Sequence, residues 1–125
     1  MQKEICWEIS ANTVLTRLDC FNNQLTELDL KNNTKLTDLL CADNQLIKLD
    51  LSNNIKLVDL RLQSNNLSTS TLNTMFRTLP NNTLYKMVYI ISNTGTNDCD
   101  KSIATDKGWE VFPPGEGTLE IIYNQ

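Results

Sequence analysis

The chain has 125 residues, carries a formal charge of −4 from 11 basic and 15 acidic side chains, and contains no histidine. One domain of this size buries about two thirds of its unfolded surface, and the acidic balance argues against a phosphate-backbone binder. The missing imidazole removes Ser-His-Asp and Cys-His catalysis, histidine metal sites and the histidine pH switch.

At the N-terminus, MQKEICWE interrupts every apolar run with Glu4 and Glu8, so no leader peptide is read there. A cytosolic protein and an exported one whose leader lies outside this sequence both fit. No stretch approaches the roughly 18 apolar residues of a membrane helix. Trp7, Ile9 and Asn12 stand 21 residues before Leu28, Leu30 and Asn33, so WEISANTVL reads as half a unit of the repeat that follows. No polar cap precedes it. Either the first residues form a minimal lid, or the chain ends a longer array, or this end self-associates.

Residues 15–72 repeat with a period of 21. Leu15, Leu36 and Leu57 keep that interval, as do Leu18, Leu39 and Leu60; Cys20, Cys41 and Leu62; Asn23, Asn44 and Asn65; Leu25, Leu46 and Leu67; and Leu30, Leu51 and Leu72. A half-length echo runs inside each period, from LTRLDCFNN to LTELDLKNN to LTDLLCADN. Each half carries two apolar residues two apart, such as Leu18/Cys20, Leu28/Leu30 and Leu49/Leu51. That is strand periodicity with one apolar face. Two short strands and two asparagine-bearing bends per period describe one turn of a flattened coil, and successive turns must stack to bury their leucines. An inward asparagine offers one acceptor and two donors to bend backbone that would otherwise lack partners. Asn23, Asn44 and Asn65 form one such predicted ladder, Asn33 and Asn54 a second.

After Leu67 the pattern changes. Ser68-Thr69-Ser70 supplies N-cap hydroxyls, and Leu72, Met75, Phe76 and Leu79 follow at helical spacing, so a helix is expected to end before Pro80. A strand is expected over 85–92, a turn over 93–96, and a short helix from about Asp98 to Lys107 with Gly108 as its stop. Trp109–Phe112 reads as a strand, Pro113-Pro114-Gly115 as a turn, and 119–123 as a last strand. Phe76, Ile103 and Trp109 supply apolar bulk for a lid.

The string Leu15-x-x-Leu18-x-Cys20-x-x-Asn23-x-Leu25 resembles the leucine-rich-repeat signature. Its 21-residue form with a second LDL strand is similar to the bacterial subclass found in surface and secreted proteins, and the tail resembles that family's closing segment. The resemblance implies an α/β fold: a short leucine-rich-repeat solenoid, mostly parallel β, with repeats over 7–72 and a helix-containing C-terminal cap over 73–125, as a single domain. It also implies a cell-surface or extracellular location and a binding rather than catalytic role.

Little in the sequence suggests chemistry. Cys20 and Cys41 share a column, but side chains on parallel neighbours point the same way, so buried free thiols are expected rather than a disulfide. The stacked Asp38/Asp59 and Asp29/Asp50 pairs lack the six to eight oxygens calcium needs; pairing with Arg17, Lys31, Lys48 or Arg61 is the ordinary expectation. No metal, no cofactor and no enzymatic activity are expected, and no nucleic acid as partner. Sugar contact through Trp7 or Trp109 competes with their use in sealing the core.

The expected binding face is the outward side of the first strand series: Arg17, Asp38 and Asp59; Asp19, Leu40 and Arg61; and Phe21, Ala42 and Gln63. Three strands span only a few hundred Å², below the roughly 800 Å² of a standard interface side, so loops or the cap must contribute. Two functions follow as expectations: a protein-interaction module using this face, or a structural spacer or terminal segment of a larger surface protein without its own ligand.

Overall fold

A computed structural model describes residues 9–81 and 84–115. The fold is α/β. Five parallel strands, β1 (Arg17–Asp19), β2 (Asp38–Leu40), β3 (Asp59–Arg61), β4 (Lys86–Tyr89) and β5 (Trp109–Phe112), form one sheet in sequence order. Helix α1 (Thr69–Thr78) lies between β3 and β4, and the short α2 (Ser102–Thr105) between β4 and β5.

The 21-residue period becomes strand register: Leu18 pairs with Leu39 and Leu39 with Leu60. Val88 and Val111 continue that inward row. Leu39, Leu60 and Val88 are fully buried, while Leu18, at the sheet edge, is partly so. Each fully buried leucine stabilises the chain by roughly 1.5–3 kcal/mol, so this row and the flanking Leu36, Leu46, Leu57, Leu62 and Leu67 dominate the core.

The bends are fixed by side-chain amides. Asn44 donates through Nδ2 to Cys20 O and Cys41 O, at 3.0 and 3.1 Å, and its Oδ1 accepts from Leu25 N at 3.1 Å. Asn65 repeats the arrangement with Cys41 O, Leu62 O and Leu46 N. Asn93, read from the sequence as part of a turn, is the next member: it donates to Leu62 O and Ile90 O and accepts from Leu67 N. In the second ladder Asn33 donates to Ile9 O and Asn12 O, and Asn54 to Leu30 O and Asn33 O. The residue before each first-ladder asparagine (Asn22, Asp43, Ser64 and Ser92) has φ between 58° and 63°. Asn and Asp tolerate that left-handed turn best.

Several expectations need correction. Residues 28–30 and 49–51 are not strands, although Leu28, Leu30, Leu49 and Leu51 are buried. The physical reason is that side chains replace the backbone ladder there. Asn54 takes Leu30 O, Asn53 takes Lys31 O, and Leu51 N donates to Thr78 Oγ1. Residues 9–11 are helical rather than extended.

Helix α1 matches its expected span, with Thr71 N donating to the Ser68 cap hydroxyl at 3.2 Å and Leu72, Met75 and Phe76 buried. The expected 98–107 helix shrinks to Ser102–Thr105 because residues 94–98 are held in turns. Its C-cap is Asp106 rather than a residue next to Gly108, which lies two positions further on at φ 87° and ends the turn that follows. The strand expected over 85–92 is limited to Lys86–Tyr89, since Ser92 turns left-handed; β5 matches its expected span. Trp7, Cys6 and the strand expected over 119–123 lie outside the described residues. Among those described, no helix is long and apolar enough to cross a membrane.

Candidate functional site

Alternation within each strand sends one set of side chains inward and the other outward. The outward side of the sheet therefore carries two register rows. The first is Arg17, Asp38, Asp59, Met87 and Glu110; the second is Asp19, Leu40, Arg61, Tyr89 and Phe112. Phe21, Ala42, Gln63 and Ile91 stand two residues beyond the second row, Phe21 being 58 % exposed and Ile91 45 %. All eight sequence-assigned residues (Arg17, Asp19, Phe21, Asp38, Leu40, Asp59, Arg61 and Gln63) lie in or beside these rows.

Most of the charge on this face is internally matched. Arg17 reaches Asp38 at 3.5 Å and Asp19 at 3.9 Å. Arg61 grips Asp59 through Nε and Nη2 at 3.1 and 3.3 Å. Hydrogen bonding to Asp59 is the main reason the Arg61 guanidinium holds its proton more firmly than a free arginine. The same guanidinium carbon lies 5.0 Å from the centre of the Tyr89 ring, and Tyr89 stacks on Phe112 with centroids 4.7 Å apart and planes 15° from parallel. The second row thus runs from a cation onto two stacked rings, an arrangement that attracts by ring quadrupole and by dispersion.

The sequence-based face ended at β3; the sheet carries it two strands further. Met87, Tyr89, Glu110 and Phe112 were missed, together with Tyr85, whose hydroxyl donates to Glu110 Oε1. The available signal was alternation in KMVY and WEVF. It was obscured because Tyr89 follows Arg61 by 28 residues and Phe112 follows Tyr89 by 23, so neither keeps the 21-residue interval.

The ion pairs away from this face are solvated. Lys31 pairs with Asp29 at 3.8 Å and Lys48 with Glu27 at 3.5 Å, all four substantially exposed. Asp50 instead accepts from Ser52 N at 2.9 Å, which holds its carboxyl below the usual range. No group of three His, Cys, Asp or Glu side chains suited to a metal ion occurs among the described residues. Trp109 is 2 % exposed and donates through Nε1 to Pro80 O at 2.9 Å. That burial removes it as a sugar platform.

Away from the sheet face, a groove of about 670 Å³ runs between Leu28 and Leu49 on one side and α1 hydroxyls on the other. Thr78 Oγ1 there donates to Met75 O and accepts from Leu51 N, and Thr71 Oγ1 accepts from Ser68 Oγ. These hydroxyls are committed to structure. No family model matches the chain, and no curated protein or solved structure matches it.

Proposed function

We propose that this chain is a leucine-rich-repeat solenoid of the bacterial surface and secreted type, working as a non-catalytic module that binds a protein through the outward sheet face. The observation that carries the reading is the row Asp19, Leu40, Arg61, Tyr89 and Phe112, where a held guanidinium and stacked rings stay at the surface. Core burial does not need them there. Aromatic and arginine side chains on a rigid, pre-ordered sheet are what protein interfaces enrich. Strand register at the 21-residue interval and asparagine ladders at the bends support the coiled architecture.

A Phe21→Asp/Tyr89→Ser variant that melts like the wild type is the decisive reagent, with Glu27→Lys/Lys48→Glu away from the face as control. Partners captured by the wild type and the control but lost by the face variant support the proposal. Retention by the face variant, or no captured partner at all, overturns it.

One observation favours the second reading, a terminal segment of a longer array. Among the described residues β1 pairs with β2 alone, leaving a strand edge that a further repeat could extend.

A further inference from the structure

Cys20 and Cys41 follow β1 and β2 directly. Cys20 N donates to Leu40 O and Cys41 N to Arg61 O, each at 2.9 Å, so the two residues hold equivalent places on neighbouring strands. Equivalent places on parallel strands put α-carbons about 4.8 Å apart, inside the range a disulfide spans, yet ordinarily aim the side chains the same way. Here the sulfurs converge: both thiols are free, and their Sγ atoms are 2.8 Å apart. A disulfide bond is about 2.05 Å, so closure needs a shift of less than about 1 Å. Leu62 completes the column above them without a competing thiol.

We propose that Cys20 and Cys41 form a dithiol modification site that a hydroperoxide converts to an intramolecular disulfide. Cys20 is the attacking group. It is 6 % exposed where Cys41 is fully buried, and a small oxidant such as hydrogen peroxide suits so narrow an approach. A hydrogen bond from the Cys41 thiol lowers the Cys20 pKa, whereas the same bond and burial raise that of Cys41.

The Cys20 thiolate attacks one peroxide oxygen, the O–O bond breaks, and the departing hydroxide takes up the thiol's proton as water, leaving a sulfenic acid. The Cys41 sulfur then attacks the Cys20 sulfur. The S–O bond breaks, and hydroxide leaves with the Cys41 proton as a second water. Two thiols and one peroxide thus give one disulfide and two waters. Among the described residues no second thiol stands beside Cys99: its thiol donates to Thr96 O at 3.5 Å, and burial raises its pKa. The cross-link ties the sheet together just before Phe21 and Ala42 on the outward face.

The test treats the folded wild-type chain with hydrogen peroxide, blocks remaining thiols in denaturant, and maps tryptic peptides by mass. The expected result is residues 18–31 joined to 36–48 at about 2 Da below the sum of the reduced peptides, released by dithiothreitol, with Cys99 still alkylatable. In a Cys20→Ala variant Cys41 stays reduced under the same treatment. Recovery of the two peptides unlinked, with or without added oxygen, overturns the proposal, as does a link from either cysteine to Cys6 or Cys99.

Discussion

At the scale of single residues, the bends are held by amides with unequal duties. Asn65 is 5 % exposed, donates to two buried carbonyls and accepts from the Leu46 N–H at 2.9 Å. Asn23 has the same place in the period but is exposed, and among the described residues it bonds within its own bend, to Cys20 O and Phe21 O. Losing a buried hydrogen bond and stranding its partner costs about 1–3 kcal/mol. Asn65→Ala is therefore expected to lower stability by about 3 kcal/mol and Asn23→Ala by less than about 1 kcal/mol, read as urea midpoints at unchanged slope. Equal losses at the two sites would contradict the assigned bonds. Period alone made Asn23, Asn44 and Asn65 legible, but as equals. Their inequality is one of burial, which the period does not carry, and Asn93 escaped because an α-helix lengthens the last interval to 28 residues.

At the scale of elements, local signals carried far where one residue type settles the geometry. Ser68 begins α1 and Pro80 follows its end. They carried less far where backbone and side chains compete for the same bonds, as at 28–30 and 49–51, where a two-residue alternation buries leucines without forming a ladder. The contact that seats the β4–β5 connection on α1 was equally hidden. Gly95 N donates to Leu67 O at 2.9 Å, and a β-carbon at Gly95 would lie 2.1 Å from Thr69 N and 2.4 Å from Ser68 C. Both obstacles are backbone, so no side-chain rotation relieves them. Gly95→Ala is expected to cost about 2–3 kcal/mol and to raise hydrogen exchange first at the start of α1. A neutral substitution would mean that this loop does not rest on the helix.

At the scale of the whole molecule, the number of strands in the sheet sets what its outward face can do. The sequence period counts three; the α/β sheet has five, since β4 and β5 keep register after the period is lost. At about 4.8 Å between strands and 3.3 Å per residue, five strands offer a projected face of roughly 400 Å², about half of a standard interface side. Its charges add modest long-range attraction, because Arg17 and Arg61 against Asp19, Asp38, Asp59 and Glu110 leave a net charge of only −2. For a partner bound through this face, one chain is thus expected to bind with a Kd of about micromolar or weaker. Raising salt from about 50 to 500 mM should change that Kd less than about tenfold, as titration calorimetry would show. Linking two copies should tighten binding well beyond either copy alone, because the second contact becomes intramolecular. Nanomolar binding by a single chain, abolished by Phe21→Asp/Tyr89→Ser, would mean that the bends double the contact area, and the partner would then have to wrap the sheet rather than rest on it.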